Sequence, residues 1–284
     1  MDLSNHSKDA LKAINSAVNA ALEEDIGTGD VTAASFSNNE MASAKVISRE
    51  EAILCGQQWF ELTFHKLDPN IIINWELNDG DKLDKDATVC ALNGNAQAIL
   101  TGERTALNFL QTLSGTATKT KIYVDRISGT NAKILDTRKT LPGMRYAQKY
   151  AVRCGGGENH RMGLYDAILI KENHIATAGS VSKAVNEAKQ KYPTIKLEVE
   201  VENAKQLKEA LQTQTDVILL DNFSLSELEN AVATTDGKKK LEASGNMTLE
   251  NIREVAKTGV DYISIGAITK HVQAIDFSMR FTSE

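Results

Sequence analysis

From about residue 132 onward, short apolar runs alternate with helical segments: AKILDT, DAILIKEN, KLEVEVEN, DVILLDNF, KLEASGN and DYISIGA. Their starts fall roughly 20 to 35 residues apart, the length of a strand plus a crossover helix. Strands that are apolar on both faces and separated by helices indicate a parallel sheet covered by helices. The helices have their own punctuation. Ser224 with Glu227 reads as a capping box before LSELENAV, Thr248 as a cap for LENIREVAK, and Gly259 as its stop. Each apolar run finishes in polar or Gly residues: Asp136 to Lys139, Lys171 to Asn173, Glu200 and Glu202, Asp221 and Asn222, Ser244 to Asn246, and Gly266 with Ala267. The C-terminal strand ends of an α/β barrel converge on one face, whereas an open sheet concentrates its site at one switch point. Complementary chemistry at six ends therefore favours a barrel, and six strands instead of eight make it incomplete.

The first 110 residues have a different rhythm. Leu11, Ile14, Val18, Ala21 and Leu22 make a helical stripe ending near Gly27, followed by alternating segments such as SAKVIS, which reads as a separate α+β domain. The stretch NDGDKLDKDATVCALNGNAQAIL has the turn-rich pattern of a biotinyl or lipoyl carrier, but no lysine sits at a hairpin tip flanked by apolar residues. A structural role is expected for it. A helical stretch, ERTALNFLQTLSGTATKTKIYVDRI, joins the halves with Leu107, Leu110 and Leu113 on one side. At 284 residues and 42% hydrophobic content the chain can bury a substantial core without staples. Cys55, Cys90 and Cys154 form no CxxC pair, which speaks against a zinc cluster or disulfide framework and for a reducing cytosol. The start, MDLSNHSKDALKAINSAVNAALEED, lacks a basic n-region and an apolar h-region, and no run reaches membrane-span length. A soluble, cytoplasmic protein is expected. A pI near 5.5 argues against general nucleic-acid binding.

The formal charge is -6, yet residues 133 to 171 hold eight Lys/Arg against three Asp/Glu, so a small polyanion should bind there. Arg138 and Lys139 follow directly on a buried strand, His160 and Arg161 follow the triplet Gly155, Gly156 and Gly157, and Lys171 ends the next strand. Arg suits a planar carboxylate and Lys a phosphate. One glycine of the triplet is as readily the C-cap of RYAQKYAVRC as a point of close approach to a ligand. His160 and His174 are not at metal-ligand spacing. Glu198, Glu200 and Glu202 alternate along one side of their strand, where unpaired carboxylates in a barrel interior are costly. A metal ion or ligand hydroxyls relieve that cost; with Asp221 the donors suit Mg²⁺. Ser244-Gly245-Asn246 and Ile265-Gly266-Ala267, each before a helix start, have the form of a phosphate cradle.

Taken together, EDIGTGDVT, ERTALNFLQTLSG, DTRKTLPGMR, CGGGENHRMGLYDAILIKENH, EVEVEN, LLDNF, SGN and SIGAITKH resemble the quinolinate phosphoribosyltransferase family, nearly end to end. The resemblance implies an α/β fold with an N-terminal open-faced α/β sandwich over residues 1 to 111, the tail 270 to 284 a candidate to join it, and an incomplete (β/α) barrel over 112 to 269. It implies conversion of quinolinate and phosphoribosyl pyrophosphate to nicotinate mononucleotide, pyrophosphate and CO2, in de novo NAD biosynthesis. Thr137, Arg138, Lys139, His160, Arg161, Lys171, Glu200 and Asp221 then contact substrates. Lys139, Lys171, Glu200 and Asp221 are the catalytic candidates, and Glu200 and Asp221 also the ligands of Mg²⁺. Ser244 to Asn246 and Ile265 to Ala267 hold the 5′-phosphate. Arg104 reaches in from a second subunit of a homodimer or larger assembly, and neither nucleic acid nor membrane is a partner. A nicotinate-specific enzyme, a molybdenum-transport-associated relative and a non-catalytic sensor of a phosphorylated metabolite are the competing readings.

Overall fold

In the computed structural model, residues 8–35 and 40–282 are described; the first seven residues, part of the stretch read for a leader, lie outside them. Along the chain come α1 (Lys8–Ile26), β1 (Met41–Ser48), β2 (Ala52–Ile53), α2 (Gln57–Leu67), β3 (Ile72–Trp75), β4 (Lys82–Leu83) and β5 (Thr88–Asn95). The long helix α3 (Ala96–Arg126) leads to β6 (Lys133–Leu135), α4 (Arg145–Cys154), β7 (Ile168–Ile170), α5 (Glu172–Ala178) and α6 (Val181–Lys191). Then follow β8 (Leu197–Val201), α7 (Ala204–Ala210), β9 (Val217–Asp221), α8 (Leu225–Thr235) and β10 (Lys240–Ser244). The chain closes with α9 (Ile252–Lys257), β11 (Tyr262–Ser264), α10 (Ala267–Lys270) and β12 (Phe277–Thr282).

Two compact units form, and neither is one continuous segment: residues 1–121, 140–156 and 268–284 make the first, residues 122–139 and 157–267 the second. The first has a four-stranded antiparallel sheet in the order β12-β1-β5-β3. The last strand pairs with the first, Lys45 opposite Arg280 and Val46 opposite Met279. Its helical stripes are set by what they bury. On α1 the buried positions are Ala10, Ile14, Val18 and Leu22, an i, i+4 row, so Leu11 of the expected stripe is turned out and exposed. Helix α3 begins earlier than ERTALNF and buries Leu107, Leu110 and Leu113, while α4 packs Ala147, Tyr150 and Ala151 into the same cluster as Trp59 and Phe109.

The second unit is the parallel sheet anticipated from the repeated βα rhythm, in the order β6-β11-β10-β9-β8-β7. Strand β8 is buried at all five positions and β9 at its first four, as helices on one side and a packed interior on the other require. β6 and β7 are the two edges, which is the geometry of an incomplete barrel. Beside β6 the segment at Glu158 adds an isolated parallel bridge: Glu158 N–H donates to Ile134 O (2.8 Å) and Asp136 N–H to Glu158 O (3.2 Å). Local signals mostly hold. The capping box at Ser224 and Glu227 is formed, and Gly259, at φ +96°, ends α9 in the left-handed region that suits glycine. Thr248 is not the cap of α9; that helix starts later, after Asn251, whose side chain accepts the Thr248 N–H at 2.9 Å.

Candidate active site

The expected cations come from successive strand ends of the second unit. After β6 the chain turns through Thr137, whose Oγ1 accepts the Lys139 N–H at 3.1 Å, and this local bond sets Arg138 and Lys139 at the strand mouth. Asp136, fully buried, accepts the backbone N–H of His160 (3.0 Å) and the Asn159 side-chain amide (2.5 Å). It is a staple that fixes the segment carrying His160 and Arg161. After β7, Lys171 lies at the start of α5 with its N–H donated to His174 Nδ1 (3.0 Å) and its Nζ to Glu200 Oε2 on β8 (2.6 Å).

These residues surround a cavity of about 340 Å³, within the range of small-molecule sites. Thr137, Arg138, Lys139, His160, Arg161, Lys171, Glu200 and Ser244 all line it. Leu169, Leu219, Glu242 and Ser264 line it as well, beyond the residues expected from the sequence. The signal for Glu242 was available: it is a carboxylate in the middle of an apolar strand, two residues before Ser244 and so on the same face.

The electrostatics are uneven. Burial first, and then the neighbouring Arg138, pull the Arg161 guanidinium below its ordinary pKa, so positive charge is crowded there. Its NH1 donates to Ala167 O at 3.2 Å. On the acidic side, burial and then Glu198 push Glu242 up to about 8. The three glutamates of EVEVEN part company: Glu198 on β8 pairs with His160 Nε2 (2.8 Å), Glu200 on β8 with Lys171, and Glu202, just past the strand, is exposed. Among the described residues the three-donor groups able to hold a metal are His160 with Glu198 and Glu242, and Cys55 with Asp79 and Cys154. Glu200 and Asp221 belong to neither; Asp221, at the end of β9, accepts the Asn222 side-chain amide at 2.7 Å and does not line the cavity.

The phosphate-cradle segments are tight turns. Asn222, Gly245 and Asn246 have φ of 56°, 97° and 50°, and a Cβ on Gly245 would meet Asn222 Oδ1 at 2.1 Å. A Cβ on Gly266 would meet Lys139 Cδ at 2.8 Å, so the backbone there is bare to let the lysine pass. Two expectations need correction. Ile265 is buried and spends its N–H on Leu135 O (2.9 Å), which ties it to the sheet, so of that expected segment only Gly266 and Ala267 lie beyond this bond. Helix α10 has only four residues and α9 begins well past Asn246, so neither segment opens directly into a long helix whose dipole could act there. The glycine triplet is resolved too: Gly155 caps α4, and a Cβ on it would lie 2.3 Å from Ala117 O of α3, so the close approach is to a helix. Arg104 is exposed on α3, in the first unit.

Comparison with known proteins covers both units. Residues 30–114 match the quinolinate phosphoribosyl transferase N-terminal domain and residues 116–280 its C-terminal domain. A probable nicotinate-nucleotide pyrophosphorylase [carboxylating] of Bacillus subtilis (strain 168) is 43% identical over 260 residues, 91% of this chain and 90% of that protein. The solved nicotinate-nucleotide pyrophosphorylase from Francisella tularensis superposes with a TM-score of 0.93 at 50% identity, over 95% of this chain and 96% of that one. NadC from Streptococcus pyogenes does so at 0.93 and 38% identity, over 99% of each. With both domains matched in order and nearly the whole length shared, the chain belongs to the quinolinate phosphoribosyltransferase family.

Proposed function

We infer that the chain joins quinolinate to the ribose of phosphoribosyl pyrophosphate and releases pyrophosphate and CO2, forming nicotinate mononucleotide for de novo NAD synthesis. The observation that carries this reading is the cavity in which Arg138, Lys139, Arg161 and Lys171 face only two lining carboxylates, Glu200 and Glu242. A pyridine with two carboxylates supplies the negative charge that this crowd of cations lacks, and Arg holds such groups bidentately. Lys139, threaded past Gly266, is suited to the pyrophosphate that leaves. As it leaves, positive charge develops at the ribose anomeric carbon, where the carboxylates on the β8 and β9 side are preorganised to stabilise it. Quaternising the pyridine nitrogen makes the ring an electron sink, so the adjacent carboxylate leaves as CO2 without a dedicated base, its bonding pair staying on the ring carbon, which then takes up a proton from water.

Glu200 and Asp221 offer the hard oxygen donors that Mg²⁺ takes together with substrate phosphates, and they stand near the C-terminal ends of adjacent strands. That donor chemistry fits the ion, which when bound would neutralise part of the pyrophosphate charge. The same reading makes the working form a homodimer or larger assembly in which Arg104 completes a neighbouring subunit's site. It also places the protein in the cytoplasm, in keeping with three free cysteines. No helix of the described residues is long and apolar enough to cross a membrane.

Purified protein given quinolinate, phosphoribosyl pyrophosphate and Mg²⁺ should release one CO2 per nicotinate mononucleotide formed. Consumption of nicotinate in place of quinolinate, or binding without turnover, would overturn the reading.

A further inference from the structure

Below the cavity the His160 ring is held at both nitrogens by the protein. Its Nδ1 accepts the backbone N–H of Arg161 at 2.8 Å, so the ring proton sits on Nε2, which donates to Glu198 Oε2 at 2.8 Å. Glu242 Oε2 lies 3.6 Å from the same Nε2, and donor atoms of all three side chains lie within 4.8 Å of one another. Glu198 is 4% exposed and Glu242 1%, and Oε1 of each is buried with no hydrogen-bond partner.

We propose that Glu242 is a positioning residue, acting through Glu198 and His160 to hold Arg161 at the cavity. This rests on the quinolinate-binding reading above. Glu242 packs its carboxyl beside Glu198 and the His160 ring in a dry strand layer, so a polar side chain of that shape keeps Glu198 turned to the imidazole N–H. The groups facing Glu242 are Glu198 from β8, His160 from the segment beside β6, and the Ser264 hydroxyl from β11. The fixed tautomer then fixes the Arg161 backbone, while Ala167 O grips its guanidinium.

Three readings test it. Glu242→Leu should raise the quinolinate KM at least tenfold while the KM for phosphoribosyl pyrophosphate stays within twofold. Glu242→Gln, a neutral side chain that still donates, should recover most of that loss. ¹⁵N spectra of histidine-labelled protein should show His160 protonated at Nε2 in the wild type and in Glu242→Gln, and no longer as a single fixed tautomer in Glu242→Ala, where Glu198 has lost the neighbour that holds it. Equal loss in the Gln and Leu variants, an Nδ1-protonated ring, or one tightly held metal ion per chain would overturn the proposal. The spectra need no substrate, so they stand if the enzyme proves to use another pyridine, and they still decide the matter if the Leu variant does not fold.

Discussion

Lys171 serves two neighbours at once: its backbone N–H is tied to His174 and its ammonium to Glu200, whose side chain is only 11% exposed. A pairing that is largely buried on one side leaves an uncompensated charge when broken, which a surface pair does not. Lys171→Ala and Arg138→Ala should each lower kcat/KM by about 10²-fold or more, the scale of a lost charge-assisted contact of roughly 2 to 3 kcal/mol. Steady-state kinetics with both substrates check this, and near-normal turnover in both variants would remove the pocket. At this scale the sequence was most legible for side chains that follow a strand directly. Arg138, Lys139 and Lys171 were found because a cation at the end of an apolar run has few places to go. Glu242 was passed over because its meaning depends on Glu198 and His160, which lie at least 44 residues away and meet it only across folded strands.

Elements explain the glycines better than their motifs do. Gly115 on α3 would place a Cβ 2.0 Å from the backbone oxygen of Gln273, in the segment leading to β12, and backbone cannot yield as a side chain can. Gly115→Ala should therefore destabilise the first unit by several kcal/mol, on the order of an overpacked core, seen as a lower urea midpoint. Gly266→Ala is a contrasting case. Its Cβ would press on the flexible end of Lys139, so stability should hold while the KM for phosphoribosyl pyrophosphate rises. An unchanged KM in that variant would argue that Lys139 does not reach the donor. Element existence and type were readable from apolar periodicity, but ends were decided by competing local bonds. Asn251, accepting the Thr248 N–H, delays α9 in a way that residue preference alone does not reveal.

For the molecule as a whole, two predictions concern how units and subunits depend on their surroundings. Asp79 receives the backbone N–H groups of Gly56 (2.9 Å) and Gln57 (3.3 Å) at the start of α2, and the Tyr150 hydroxyl of α4 (2.8 Å). Burial nevertheless dominates and raises its pKa from 3.8 to about 6. A carboxyl whose folded pKa lies above its unfolded one binds more protons when folded, so its contribution to stability falls as pH rises from about 4 to about 6. Relative to wild type, Asp79→Asn should gain about 2 to 3 kcal/mol between pH 4 and pH 7 in urea denaturation, and a pH-independent difference would count against the raised pKa. Subunit sharing is tested by mixing. Arg104→Ala and Lys171→Ala proteins, each strongly impaired alone, should recover activity after verified exchange, because a mixed dimer would retain one intact site; no recovery would count against Arg104 acting in a neighbouring site.

By itself the sequence determined the parallel βα half, the cationic strand ends and the kinship, since each is written in runs of adjacent residues whose period or motif needs no partner to be read. Only the tertiary structure decided that β12 pairs with β1, that α4 packs with α1 and α2, and that His160 rests on a pair of buried glutamates. Those arrangements join residues far apart in the chain, and burial, which sets their energies, exists only once the strands and helices have met.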